Sequence, residues 1–262
     1  MATTINTPYI LEIRPRLEPE NDPIAWLLIE RTETVQHDRQ GELLEASLSL
    51  SYRCITNRQG GRHGSFSGSF SAWNNSVSIT TSSTSGSGAV FLDPPWLRGN
   101  RAGTYFLHEV IKWAKQWPGE ADIRHVNVIA GQADDGNKVR RNSLYSNGGL
   151  EFIWEDPDNK VGCSKPMKVK DLVARKTWAQ NIYEHDLYDH LAAQLSACEA
   201  LTWEVRDCEQ RITRLAKEIT QANDKPMRWA LAQTWTRTFP IVALLGVLAV
   251  VALTVWNGQS AG

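Results

Sequence analysis

The sequence predicts an α+β fold: a mixed β-sheet with few helices, then a long helix, then one C-terminal transmembrane helix. Three observations predict it. From Tyr9 to Leu92 the apolar pattern is that of strands. From Gly103 to Trp154 helical and strand patterns alternate. From Val169 to Gln221 there is neither proline nor glycine, and the apolar spacing turns to threes and fours.

The early strands are YILEIRPRL, IAWLLIERTETV and LLEASLSLSYRCI, rich in β-branched and aromatic residues. PENDP and HDRQGE break them. A Ser/Gly-rich stretch follows, in which Phe66, Phe70 and Trp73 recur and Val77 and Ile79 alternate with serines. That pattern reads as hairpins with flexible tips. GAVFL (Gly88–Leu92) is a further short strand. Phe106, Leu107, Val110, Ile111 and Trp113 then give Gly103–Trp117 a helical stripe, ended by Pro118-Gly119. DIRHVNVIAG is a strand, DDGNKVRRNSLYSNGG a short helix with acidic residues at its start and glycines at its end, and LEFIW another strand.

In the third part Cys198, Leu201, Val205, Cys208, Ile212, Leu215 and Ile219 form a heptad seam. It predicts a coiled coil and self-association into a homo-oligomer. Asn223-Asp224-Lys225-Pro226 breaks that helix. Met227–Thr238 reads as a juxtamembrane helix. Phe239 to Trp256 is an uncharged run of eighteen residues. As a helix it would reach roughly 27 Å, the thickness of a bilayer core. Lys225, Arg228 and Arg237 precede it and no charge follows. The positive-inside tendency then makes a single-pass membrane protein with its N-terminal domain in the cytoplasm.

Composition narrows the rest. The net charge of −1 gives no global field for nucleic acid, although Lys138, Arg140 and Arg141 form a local basic run. The first residues carry no basic segment followed by an apolar run, so no signal peptide is expected. Four cysteines without C-x-x-C spacing argue against a zinc site or a disulfide framework.

The chemistry concentrates in LDPPWLRGNRAGTYFL (Leu92–Leu107). A strand ends, a tight basic loop follows and a helix begins. Exposed backbone N–H groups at such a start form an anion site, to which Arg98 and Arg101 add charge. The run Arg98-Gly99-Asn100-Arg101-Ala102-Gly103-Thr104 resembles the phosphate motif of the GNAT family of acyl-CoA N-acetyltransferases. Arg98 and Gly103 match that motif, and Arg101 stands where its first glycine belongs. Downstream, Leu144, Tyr145 and Gly149 match the family's second signature, with Leu150 replacing its aromatic residue. The resemblance covers Gly88 to Trp154.

The resemblance implies acetyl-CoA as cosubstrate, lying between two splayed strands with its pyrophosphate on the Arg98–Thr104 loop. It implies that Tyr145 protonates the departing thiolate and that Asn137 touches the pantetheine arm. The acceptor would be a protein or small-molecule amine. No general base stands out among Glu30, Glu33, Asp93 and His125. His108 is expected to pack or face solvent. The resulting division is a GNAT-like domain over residues 1–165, a coiled-coil stem over 166–224, a juxtamembrane segment over 225–238 and a membrane helix over 239–256. Two functions fit: a membrane-anchored N-acetyltransferase, or a non-catalytic interaction protein on a degenerate GNAT shell. The second resembles internal virion proteins of short-tailed bacteriophages.

Overall fold

The computed structural model describes residues 1–56, 63–82, 97–133, 136–228, 230, 231, 234 and 235. The chain divides into two compact units, Met1–Ala192 and Ala193–Gly262.

The first unit begins with four long strands, β1 (Ala2–Ile13), β2 (Ala25–His37), β3 (Leu43–Cys54) and β4 (His63–Ser71). Each pairs antiparallel with the next. Period-two alternation sorts their side chains. On β3, Ala46, Leu48, Leu50 and Tyr52 are buried, while Ser47, Ser49 and Ser51 between them are half-buried. On β4, Phe66 and Phe70 enter the same core with Gly68 between them. A Cβ at Gly68 would stand 3.0 Å from the Trp113 ring, so this strand position needs glycine for close packing. The short β5 (Ser76–Ser78) closes the hairpin with β4. The Ser/Gly-rich stretch is thus a hairpin over its described part; Gly88–Leu92 lies outside the described residues.

Helix α1 (Ala102–Ala114) crosses back to β6 (Asp122–Ile123), which pairs parallel with β5. Tyr105, Phe106, Val110, Ile111 and Trp113 cover the apolar side of the sheet. Each such side chain contributes roughly 2–3 kcal/mol by leaving water. The strand expected over Asp122–Gly131 is interrupted. Its second piece, β7 (Asn127–Val128), joins β9 (Gly162–Ser164) and β8 (Phe152–Trp154) in a separate three-stranded sheet of order β7-β9-β8. Between β7 and β8 lies α2 (Asn137–Asn147).

The chain then returns to the first sheet. Two 3-10 turns, Val169–Asp171 and Thr177–Gln180, lead to β10 (Ile182–Asp186), antiparallel to β1. The large sheet therefore has the order β10-β1-β2-β3-β4-β5-β6. Helix proper starts only at α3 (Leu187–Asp224).

The α+β class and mixed sheet agree with expectation. The transmembrane part does not. Among the described residues no helix is long and apolar enough to cross a membrane. The longest, α3, carries charged residues in most turns from Glu199 to Asp224. The expected span at 239–256 lies outside the described residues. The single-pass membrane assignment, with its tail anchor and cytoplasmic orientation, is corrected accordingly.

Candidate functional site

The candidate site is the β5–α1–β6 crossover. β5 and β6 are the only parallel pair among the described strands, and they stay together for two residue pairs, Ser76–Asp122 and Val77–Ile123. The Arg124 N–H still donates to the Val77 carbonyl at 2.8 Å. Beyond it the chain turns to β9: the Ser164 N–H donates to the Val126 carbonyl at 3.0 Å and the Val126 N–H to the Ser164 hydroxyl at 2.8 Å. The two parallel strands have then parted.

The loop before α1 is held in an unusual conformation. Gly99 has φ 89° and Arg101, the residue at the N-cap, has φ 64°. A left-handed arginine costs roughly 1–2 kcal/mol, so something must hold it. Its Nη1 donates to Gln180 Oε1 at 2.6 Å and to Asn181 Oδ1 at 3.3 Å. Asn181 is fully buried, and its Nδ2 donates to the carbonyls of Arg14 and Asn100 at 2.9 and 3.1 Å. The Arg16 N–H donates to Asn100 Oδ1 at 3.3 Å. Segments at both ends of the first unit thus clamp the loop. Burial and the nearby Arg16 charge lower the Arg101 pKa. The helix start has no side-chain cap hydrogen bond.

Helix α2 borders α1. A Cβ at Gly103 would stand 3.6 Å from Leu144, and one at Gly148 would meet Ile111 and Leu107 at 3.3 Å. Tyr145 follows Leu144, buried to 4 % exposure, its ring 5.8 Å from Phe152. Burial pushes its pKa up to about 12, while Arg141 works in the opposite direction. Burial thus makes the phenol harder to ionise. Arg141 is held by the carbonyls of Ile129, Asn159 and Lys160.

The expected site residues fare differently. Arg98, Asn100, Arg101, Gly103 and Thr104 are half-buried around the helix start, and Gly99 is exposed. Ala102 is fully buried and packs in the core. Asn137 caps the preceding 3-10 turn, its Nδ2 donating to the Gln132 carbonyl at 2.8 Å. The base candidates do not converge. Glu30 is exposed and accepts from the Ser51 hydroxyl, Glu33 pairs with Arg31, and the exposed His125 ring lies 2.8 Å from the Ser164 carbonyl. Asp93 lies outside the described residues. His108 is buried at 4 % exposure against Trp178, with Nδ1 unpartnered among the described residues. Burial lowers its pKa, and Glu109 opposes this.

A polar network beside this helix escaped the sequence pattern. The Tyr9 and Tyr105 hydroxyls lie 2.7 Å apart, and Tyr105 donates to Glu184 at 2.8 Å. Arg31 bridges Glu109 at 2.9 Å and Glu33 at 2.7 Å. Gln180, Asn181 and Arg16 were also invisible. Each looks like an ordinary surface polar residue, and only β10 pairing with β1 brings them to the loop. Among the described residues no group of three or more His, Cys, Asp or Glu side chains could hold a metal ion.

Comparison with known proteins adds nothing to this geometry: no family model, curated protein or solved structure matches the chain. The acetyltransferase and phage-protein resemblances therefore have no relative behind them.

Proposed function

We propose that the first unit is a GNAT-like N-acyltransferase that moves acetyl from acetyl-CoA to an amine. The observation that carries the reading is the pair of parallel strands that part after Val77 and Ile123, joined by a helix whose basic start follows a left-handed residue. Arg101 occupies the position of a glycine in the family motif and has the backbone that glycine favours. Parted strands are where an extended ligand would lie, and the α1 start offers N–H groups for a pyrophosphate. In the reaction the amine nitrogen attacks the thioester carbonyl. The C–S bond breaks, the thiolate takes a proton from Tyr145, and the amine gives its proton to solvent. An un-ionised phenol can act as a general acid, and burial, by raising its pKa, makes Tyr145 a weak one. The acceptor is a protein or small-molecule amine.

One observation favours a second reading, a non-catalytic interaction domain on the same shell. The Arg101 guanidinium is committed to Gln180 and Asn181. Calorimetric titration of the full chain with acetyl-CoA separates the two. The acyltransferase reading expects binding that Gly103→Ala leaves intact, since that Cβ makes only ordinary contacts. Gly103→Glu should weaken it about tenfold or more, from lost charge-assisted contacts. Tyr145→Phe should keep affinity within a few-fold and lower turnover by about 10²-fold. No binding at millimolar acetyl-CoA would leave the interaction reading in its place.

A further inference from the structure

Helix α3 is 38 residues long, about 57 Å, and none of its residues is buried. Along it Leu201, Val205, Ile212, Leu215 and Ile219 are 56–66 % exposed. They recur at alternating steps of three and four with Cys198 and Cys208, which are free and exposed. This is an a/d seam in which Cys198, Val205, Ile212 and Ile219 take a, and Leu201, Cys208 and Leu215 take d. A continuous apolar seam of this period on a solvated helix needs a partner with the same repeat.

We infer that α3 pairs with α3 of a second copy of this chain, antiparallel, with Val205 of each copy opposite Cys208 of the other. Two independent features of the seam select this arrangement. The first is volume. In this register neither cysteine meets its own copy: Cys198 faces Leu215 and Cys208 faces Val205, while Leu201 faces Ile212. A parallel pair would stack Cys198 on Cys198 and Cys208 on Cys208, leaving thin layers between full ones. A cysteine set against a larger side chain leaves a smaller void than one set against another cysteine.

The second feature is charge. Glu204 and Arg211 occupy the g positions that flank the central layers, and Glu209 an e position. In the antiparallel register Glu204 of each copy lies opposite Arg211 of the other, twice per dimer. In a parallel pair Glu204 would lie opposite Glu209, also twice. Charges at e and g decide orientation in this way. Asp207 already steadies Arg211 at 2.8 Å within its own helix. Opposed helix dipoles add a small term of the same sign. This inference rests on α3 alone and stands or falls independently of acetyl-CoA binding.

The test uses the full chain in sedimentation equilibrium. Wild type should be a dimer, and Ile212→Asp with Leu215→Asp a monomer of unchanged helix content. Glu204→Arg distinguishes the directions without touching the seam. In the antiparallel dimer it sets arginine against Arg211 and should weaken association about tenfold; combining it with Arg211→Glu should restore it. In a parallel dimer Glu204→Arg would face Glu209 and tighten association. A chain with Cys163→Ser and Cys208→Ser gives a second readout. The two Cys198 thiols would lie about 25 Å apart along the antiparallel axis, so a short bis-maleimide should not join them. A monomer at the highest attainable concentration, tighter association by Glu204→Arg, or efficient Cys198–Cys198 cross-linking would each overturn the inference.

Discussion

Helices α1 and α3 meet opposite fates. In α1, ten of thirteen residues are buried. In α3, none of 38 is. Helix α1 is short, starts without a side-chain cap and contains β-branched and aromatic residues of middling helix propensity. Tertiary packing makes it a helix. Helix α3 has local support of its own: Arg211 pairs with Asp207 and Arg214 with Glu218, four residues apart. Such pairs contribute a few tenths of a kcal/mol each, enough to hold a long helix but not to explain its apolar seam. A helix that owes its form to the sheet should be sensitive to single substitutions at the sheet contact. One that owes it to itself should not.

Tryptophan gives the sharpest contrast. Trp113 is 1 % exposed, would crowd a Cβ built at Gly68, and stands edge-on to Trp117, ring centroids 5.4 Å apart. Trp113→Ala should cost about 3–5 kcal/mol, read as a lower urea midpoint for the first unit. If its cost is under about 1 kcal/mol, the account of α1 as packing-dependent is wrong.

The next effect is electrostatic. Among the described residues, Arg31→Met leaves Glu109, 6 % exposed, with only the long Lys112 and His108 contacts of 3.8 and 3.9 Å. The expected cost is about 2–3 kcal/mol, below the full value for a buried pair because Arg31 keeps some contact with water. Arg31→Met with Glu109→Gln should recover part of it; no recovery would mean that the pair is not coupled.

A smaller, pH-dependent term comes from His108. Its folded pKa is below the unfolded value of about 6.5. Below that value the unfolded chain binds the extra proton, so stability falls as pH drops from the unfolded pKa toward the folded one. Above it His108 contributes no slope. Replacing it by Gln should flatten that part of the stability–pH curve, and an unchanged curve would show that His108 titrates normally.

The smallest effect is expected in α3. Trp203 is 70 % exposed and lies outside the a/d seam. Trp203→Ala should shift stability by no more than about 0.5 kcal/mol. A larger loss would place Trp203 in an interface and widen the contact beyond the seam.

How far the sequence could be read depended on the range of the interactions. The alternation of Leu48, Leu50 and Tyr52 marked β3, and the stripe through Phe106, Val110 and Trp113 marked α1, because periodicity is local. The first half of β1 was missed. Ala2–Thr7 is polar and exposed on both faces, and it is a strand only because β2 supplies hydrogen bonds from Arg31 to Gln36. β10 was missed for a related reason: NIYEHD lies in a stretch free of helix breakers, yet β1 recruits it as an edge partner. At the candidate site the loop was legible and its clamp was not. Gly99 announces a positive φ. Nothing in Asn181, 81 residues from Asn100, announces that it will hold the loop.

The sequence by itself determined the class of the fold, the strand and helix faces in the core, the basic helix start at Arg98–Thr104 and the heptad seam of α3. All are set by residues a few positions apart, where period and backbone preference suffice. Only the tertiary structure decided that the parallel strands part after Val77, that Arg101 is pinned left-handed by Gln180 and Asn181, and that Tyr145 is buried. Those outcomes come from groups distant in the chain, brought together by strand pairing and removed from water, and burial of that kind is a property of the assembled fold.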